Sequence, residues 1–292
     1  MLRPRGPQPV ASPRRPQIVR RRVCADATLR RVVHPAPLSV TARGLTDVGR
    51  RRDHNEDALL VDDDLHLYVV ADGMGGHAGG GTASRLAVDT IQRTLRAARA
   101  RAPDAFAPEL PESSPLPGVL RGAVEQACAV IHAAAQADPE LAGMGTTVTA
   151  VLLDGRSAFV AHVGDSRCYL LRGARIQQVT EDHSLVNEQV KAGALTAAEA
   201  KHSRFKNIIT RSVGFEREVL VDLAAFALAP GDAIVVCCDG LTNLVEDDEI
   251  LRVVTEAPLE DAPPRLVALA NARGGDDNIT VIAVRVGPDE AP

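Results

Sequence analysis

The sequence feature that most constrains the fold is an aspartate beside a turn residue at the boundary of an apolar segment. It recurs in four places: Val70-Ala-Asp72-Gly73, Val163-Gly-Asp165-Ser166, Val236-Cys-Cys-Asp239-Gly240 and Gly274-Gly-Asp-Asp277-Asn278. Any one of these alone is most simply a turn. Strand ends can meet at one edge of a sheet, however, and carboxylates gathered there repel unless cations neutralise them. As a set they predict a site for hard cations such as Mg²⁺ or Mn²⁺, which prefer oxygen ligands.

Apolar runs and turn residues predict hairpin-linked strands that alternate with groups of helices. Strands are expected at 65–71, 146–153, 157–163, 167–171, 175–180, 219–226, 233–238 and 278–284. Helices are expected at 82–101, 119–137, 183–201, 247–255 and 264–272. The Asp154-Gly155 turn indicates a hairpin, and Thr196 with Glu199 forms a capping box. Local hairpins favour antiparallel sheets covered by helices over a doubly wound parallel sheet, so the expected class is α+β.

Eight short motifs follow one another along the chain. They are Thr46-Asp-Val-Gly-Arg with Arg52-Asp-His-Asn-Glu-Asp57, Val70-Ala-Asp-Gly-Met-Gly-Gly-His-Ala-Gly79, Gly145-Thr-Thr, His162-Val-Gly-Asp-Ser-Arg167, Thr180-Glu-Asp-His-Ser184, Asn207-Ile-Ile-Thr-Arg211, Asp239-Gly-Leu-Thr and Gly275-Asp-Asp-Asn-Ile-Thr280. In this order they resemble the PPM-type (type 2C) metal-dependent serine/threonine protein phosphatases, bacterial branch, over about residues 41–286.

The resemblance implies a fold and an activity. The fold would be a four-layer α/β/β/α sandwich, with two antiparallel sheets flanked by helices and a small flap near residues 184–206. The enzyme would hydrolyse phosphoserine and phosphothreonine in proteins by attack of a hydroxide bridging two Mn²⁺ or Mg²⁺ ions. Its partners would be phosphorylated proteins, the substrates of a Ser/Thr kinase, and it would act as a monomer.

The resemblance also implies which residues carry the metal core. Asp72 would bridge the two ions, helped by the Gly73 carbonyl. Asp239 and Asp277 would complete one of the two ion sites. These three aspartates, together with Arg52, are the expected catalytic residues.

Further residues would surround this core. Glu56 and Asp57 would act through metal-bound water. Arg52 would bind the substrate phosphate with both arms of its planar guanidinium. Asp165 matches a ligand of a weaker third ion. Its occupancy stays open, because Asn243 stands where some relatives carry an aspartate ligand.

The glycine-rich stretch from Gly73 to Gly79 allows other interpretations. His77 could be a general acid, but it lies three residues beyond the position that a histidine occupies in eukaryotic relatives, so a loop role is favoured. The stretch also matches a relaxed dinucleotide-binding fingerprint. That pattern requires an acid at the end of a second parallel strand, whereas Asp89 falls inside a predicted helix.

Five polar residues or runs are assigned structural roles. His162 and His183 fit satisfied structural histidines at least as well as site residues. Arg167 and Arg211 are expected to pair with carboxylates at strand ends. The run from Asp62 to Asp64 is most simply a solvated turn between two strands.

Charge separates the chain into a basic arm and an acidic body. Residues 1–43 hold ten of the 33 basic residues and one of the 38 acidic residues, which leaves a net charge near −14 beyond them. We expect a disordered Pro/Arg-rich arm at 1–40, a catalytic domain at 41–286 and a short tail at 287–292. A tether to nucleic acid or membrane is the alternative for the arm. The acidic body argues against nucleic acid as a partner.

Cysteine usage and hydropathy bear on location. The five cysteines form no CxxC pair, which favours a reduced, cytoplasmic protein. No apolar run approaches the length needed to span a bilayer.

Two other functions remain open from the sequence. A pseudophosphatase could bind phosphoproteins or a kinase without turnover, although such decay usually removes a ligand, and Asp72, Asp239, Asp277 and Arg52 are all present. A scaffold built around the basic arm is the third possibility.

Overall fold

The computed structural model describes residues 38–75, 79–103, 114–201 and 203–288. The predicted arm up to residue 37, His77 and residues 289–292 lie outside these ranges. Within them, no helix is long and apolar enough to cross a membrane.

Two five-stranded antiparallel sheets form the centre of the fold. The strands are numbered in chain order. The first sheet contains β1 (Leu38–Asp47), β8 (Arg167–Arg172), β9 (Arg175–Gln178), β11 (Ala233–Cys237) and β12 (Ile279–Pro288). The second sheet contains β2 (Ala58–Asp62), β3 (Leu67–Ala71), β6 (Val148–Asp154), β7 (Ser157–Val163) and β10 (Asp222–Ala227). Their spatial orders are β1-β12-β11-β8-β9 and β10-β7-β6-β3-β2. A separate two-stranded ribbon joins β4 (Gly73–Met74) to β5 (Gly145–Thr146).

Helices cover the outer face of each sheet. The helices are α1 (Gly79–Arg101), α2 (Leu116–Ala137), α3 (Leu185–Lys191), α4 (Ala197–Lys201), α5 (Asp239–Thr242), α6 (Asp247–Glu256) and α7 (Ala262–Ala272). Apolar residues of α1 and α2 share one core cluster with the second sheet, and those of α6 and α7 share another with the first. The order of layers is therefore helix, sheet, sheet, helix, which confirms the predicted four-layer sandwich.

Alternating side chains explain how each sheet joins two cores. In β3, Leu67 and Val69 face the helices, while Tyr68 and Val70 face the other sheet. Successive side chains of a strand point to opposite faces. Both faces of the central strands are covered, so these strands are apolar throughout and were recognised from sequence as continuous runs.

Several elements differ from the sequence prediction, and the largest differences are β1 and the region predicted as one helix at 183–201. The edge strand β1 was not predicted, because it pairs only with β12 and is half exposed, which leaves it without a continuous apolar run. Its first residue, Leu38, pairs with Pro288 at the end of β12. The single helix expected at 183–201 is instead α3 and α4, separated by a turn in which Gly193 has φ +72°. Thr196 and Glu199 form the predicted capping box at the start of α4.

The predicted flap packs beside the end of β7. Its two ends meet at an isolated bridge between Ser184 and Ile209, and α3 and α4 lie between those residues. Phe205 and Ile208 in this segment are partly exposed.

Asp62 corrects the interpretation of the acidic run at 62–64 as a solvated turn. The turn is present, but the Asp62 side chain is buried. Its carboxylate accepts hydrogen bonds from the Leu65 amide (3.1 Å), Gln92 Nε2 (2.6 Å) and Arg96 Nη2 (2.8 Å). Asp62 therefore joins the β2–β3 turn to α1, whereas Asp64 is exposed.

We expect Asp62→Ala to lower the free energy of unfolding by about 1–3 kcal/mol, because it leaves buried or partly buried donors without an acceptor. Urea unfolding measures the change. Asp64→Ala is the matched control and should change stability by less than about 0.5 kcal/mol. Equal stability of the two variants would contradict the bridging role.

Candidate metal centre

The aspartates predicted to hold metal lie where strands of both sheets end or begin. In an antiparallel pair, the end of one strand lies beside the start of its neighbour. Ala58 pairs with Ala71, so Asp57 and Asp72 are neighbours at this edge. In the other sheet, Cys237 of β11 pairs with Val281 of β12, which brings Asp239 close to the start of β12.

Asp57, Asp72 and Cys238 form one close group in the cluster. One potential ligand atom from each lies within 4.8 Å of the others. Asp57 Oδ2 accepts a 2.6 Å hydrogen bond from Thr280 Oγ1. Among the described residues, Asp57 Oδ1 is buried without a hydrogen-bond partner. A buried carboxylate oxygen without a donor is costly, and water held by a divalent cation at the neighbouring carboxylates would satisfy it.

Burial and mutual repulsion raise the pKa values of the clustered carboxyls. Burial raises the pKa of Asp57 to about 7, and the nearby Asp239 and Asp277 add to the shift. The pKa of Asp72 is raised well above its ordinary value by burial, then by Asp57 and Asp239. Burial and Asp277 likewise raise the pKa of Asp239. The cluster cannot be fully ionised at neutral pH without bound cations, which is the behaviour expected of a divalent-metal site.

The Gly145-Thr-Thr motif fixes the main chain of Asp72. The Asp72 carbonyl accepts hydrogen bonds from the Thr147 amide (2.8 Å) and Thr146 Oγ1 (2.9 Å). The Asp72 amide donates to Thr147 Oγ1 at 3.0 Å. These contacts hold the aspartate at the end of β3 and explain why the two threonines accompany it.

Gly73 lies where α1 approaches the strand end most closely. A Cβ at Gly73 would lie 2.1 Å from the Gly80 carbonyl oxygen and 2.5 Å from that of Glu56. Only glycine fits there. The Glu56 carbonyl also accepts a 2.6 Å hydrogen bond from Ser84 Oγ, so Glu56 is held at the start of α1 beside the cluster.

Arg52 and Asp277 form an ion pair at the mouth of the cluster. Arg52 Nη2 lies 2.7 Å from Asp277 Oδ2, and half of the Arg52 side chain is exposed. Asp277 Oδ1 accepts a 2.8 Å hydrogen bond from the Asn278 amide. The guanidinium thus faces solvent on one side and the carboxylates on the other.

Three residues near the cluster were not predicted from the sequence. The Asn278 side chain bonds the Glu56 amide and the carbonyls of Val48 and His54 at 2.8–3.0 Å, which fixes the loop that carries Arg52. Thr280 orients Asp57. Burial raises the pKa of the Cys238 thiol well above its ordinary value, so the neutral thiol acts as a hydrogen-bonding group. The Asp-Asn-Ile-Thr string was the only sequence signal for the first two.

Asp165 lies on the far side of Asp239 and lines a second part of the cleft. A cavity of about 720 Å³ extends from Asp165 and Asp239 to the flap. Burial, then Asp239 and Asp182, raise the pKa of Asp165. Asn243 Nδ2 donates to Asp239 Oδ2 at 3.0 Å, so the residue that replaces a possible ligand instead bonds a neighbouring carboxylate.

The residues assigned structural roles are hydrogen-bonded as expected. Arg167 binds both oxygens of Asp182, and Arg211 binds Asp222. His183 contacts Asp222 and a turn next to Asp165. His77 lies outside the described residues.

The chain is similar to known proteins of one family. A family model described as protein phosphatase 2C matches residues 48–268. Protein phosphatase PhpP of Streptococcus pneumoniae is 39% identical over 259 residues, covering 85% of this chain and 98% of that protein. A solved serine/threonine phosphatase of S. agalactiae has a TM-score of 0.75 and 38% identity, covering 85% of this chain and 99% of its own.

A third relative bears on the metal. The catalytic domain of the serine/threonine protein phosphatase PstP was solved in complex with two manganese ions. It has a TM-score of 0.74 and 33% identity, covering 86% of this chain and 99% of its own.

The raised pKa of Asp57 predicts an unusual pH dependence of stability in EDTA. A carboxyl with a raised pKa stabilises the fold below its unfolded value of 3.8, and this contribution is lost as pH rises through about 7. In EDTA at pH 7.5, the wild-type protein should therefore have a lower Tm than Asp57→Asn. This difference in Tm should shrink as the pH falls towards 5.

Thermal melts with and without MnCl₂ measure this difference. Mn²⁺ should raise the Tm of wild type more than that of Asp57→Asn at pH 7.5, because it binds the native state. A difference in EDTA that grows towards acid pH would contradict the interpretation of the cluster.

Proposed function

Because the chain belongs to the protein phosphatase 2C family, it is a metal-dependent protein serine/threonine phosphatase, and we propose that its carboxylate cluster is the site of hydrolysis. The observation that carries this proposal is the buried Asp57 oxygen, which has no hydrogen-bond partner among the described residues. It lies beside Asp72 and Asp239, whose pKa values are raised like that of Asp57. Such a set favours two divalent cations, as in the manganese complex of PstP.

We assign the metal-holding roles by position in the cluster. Asp72 borders both Asp57 and Asp239, which suits an oxygen shared by two ions. Asp239 and Asp277 would hold the ion on their side, and the Gly73 carbonyl would assist. When bound, the ions would supply a nucleophile from water at neutral pH and polarise the phosphoryl group.

Asp57 and Glu56 would act through metal-bound water and not as direct ligands. Asp57 is oriented by Thr280, and Glu56 is fixed through its main chain. Both could accept hydrogen bonds from water in the cluster. Asp165, with Asp239, would hold a third and weaker ion.

Arg52 would bind the substrate phosphate. It is charged at all relevant pH values, half exposed and anchored at 2.7 Å to Asp277. A phosphate entering the cleft would take the free donors of the guanidinium, and binding of cations by Asp277 would release another. The fork can then contact two phosphate oxygens.

The phosphatase acts on phosphoproteins, and we propose which phosphoproteins these are, where the enzyme is located and that it is a monomer. The substrates would be those of a Ser/Thr kinase. The acidic body disfavours nucleic acid as a partner. The four cysteines that the structure describes are free and buried, which supports a cytoplasmic location. One chain supplies every proposed site residue, which supports a monomer.

We also propose that the catalytic domain is somewhat longer than 41–286. The pairing of Leu38 with Pro288 supports limits at 38 and 288. The arm and the short tail would then lie beyond these residues.

The proposal is tested by hydrolysis of an aryl phosphate and a phosphothreonine peptide after EDTA treatment, with and without Mn²⁺ or Mg²⁺. Activity should return with the metal. Asp239→Asn should lose more than the 10–100-fold typical of residues that only support ligands, and it should remain folded.

Asp89→Asn, on the exposed face of α1, is the matched control and should keep full activity. Full activity in Asp239→Asn would contradict the assignment of the site. A folded, Mn²⁺-binding protein that is silent on both substrates would favour the alternative, a pseudophosphatase that binds phosphoproteins without turnover.

A further inference from the structure

His183 lies at the start of the flap and reaches the turn that carries Asp165. We propose that His183 is a positioning residue that holds the Gly164–Asp165 turn in register with the flap. The inference rests on the proposed function only in assigning a cation to Asp165. The contacts themselves involve no metal.

Both backbone groups of Gly164 are hydrogen-bonded to His183. The Gly164 amide donates to His183 Nδ1 at 3.0 Å, and the His183 amide donates to the Gly164 carbonyl at 2.7 Å. Gly164 has φ +111°, and a Cβ there would lie 2.5 Å from Thr147 Cγ2. The turn is thus confined by Thr147 on one side and His183 on the other, and Asp165 follows directly.

These contacts determine the tautomer of His183. Nδ1 accepts the Gly164 N–H, so it carries no proton, and the ring proton is on Nε2. Nε2–H then donates to Asp222 Oδ2 at 3.1 Å. Arg211 Nη1 lies 3.1 Å from Nε2, but its own hydrogen bonds go to Asp222 Oδ1 and the Leu220 carbonyl. Asp222 and Arg211 therefore keep His183 in the one form that can accept from Gly164.

The same residue joins the two ends of the flap. The Thr210 amide donates to the His183 carbonyl at 2.9 Å. The next two residues continue the contact, through the bridge of Ser184 to Ile209 and a 2.9 Å bond from the Leu185 amide to the Ile208 carbonyl. His183 therefore contacts the flap through its main chain and the Asp165 turn through both its main chain and its ring.

His162 packs on the other face of the ring. The two ring centroids are 4.8 Å apart, and His162 contacts Thr149 Oγ1 and the Glu181 carbonyl. Burial, together with the neighbouring His183, lowers the pKa of His162 to about 4, so it is neutral. Packing against His162 restricts the rotation of the His183 ring. The ring therefore stays in the orientation that accepts the Gly164 hydrogen bond.

The test compares two amides in place of the imidazole. In His183→Asn, the side-chain oxygen lies near the position of Nδ1 and can accept from Gly164. In His183→Gln, the polar group lies near Nε2 and can reach Asp222 but not Gly164. His66→Asn is the matched control, because His66 is exposed in the β2–β3 turn at φ +50°, a conformation that asparagine tolerates.

Amide exchange at Gly164, followed by NMR in EDTA, is the first measurement. Loss of the buried hydrogen bond in His183→Gln should speed exchange by about tenfold or more, while His183→Asn and His66→Asn should stay near wild type. The second measurement is the Mn²⁺ concentration for half-maximal activity, which should rise about tenfold in His183→Gln alone, with little change in kcat at saturating Mn²⁺.

Two results would overturn the proposal. One is wild-type exchange at Gly164 in His183→Gln, and the other is an Asn variant that behaves like the Gln variant. The exchange measurement needs neither metal nor turnover, so it decides the role of His183 even if the protein proves inactive. Thermal melts of all variants exclude global unfolding as the cause of faster exchange.

Discussion

Repulsion among carboxylates crowded at the ends of two sheets is the constraint on which the rest of the structure depends. Asp57, Asp72, Asp165 and Asp239 all have raised pKa values, first because of burial and then because of neighbouring carboxylates. Such a cluster does not stabilise the metal-free fold, since unpaired buried charge is costly. Divalent cations would remove that cost, which supports the proposal that this cluster is the site of chemistry.

Strand pairing and close backbone contacts bring these carboxylates together. Antiparallel pairing places the start of β2 beside the end of β3 and the end of β11 beside β12. Close backbone approaches at glycines bring the loops in further, since a Cβ at Gly240 would lie 1.9 Å from the Asn278 carbonyl oxygen. The Asn278 side chain then fixes the loop bearing Arg52. These contacts are made to the backbone, so none of them occupies a carboxylate oxygen of the cluster.

Features that depend on a short stretch of sequence could be predicted, whereas features that depend on contacts between distant parts of the chain could not. Asp72, Asp165 and Asp239 could be found because each follows an apolar run and precedes a turn. The role of Asn278 could not be found, since its partners lie more than 220 positions earlier in the chain. The edge strand β1 carries too few buried residues to show a pattern. The helix predicted at 183–201 was divided because Gly193 and the Thr196 capping box outweigh an otherwise helical composition.

Mn²⁺ binding to the metal-free full chain, by titration calorimetry at neutral pH in buffers of different ionisation enthalpy, tests the central claim most directly. It gives the number of ions bound and the number of protons released together. The account predicts two tightly bound ions with net release of protons, because carboxyls with raised pKa values must ionise to bind metal. Binding without proton release, or no tight binding by the folded protein, would contradict it.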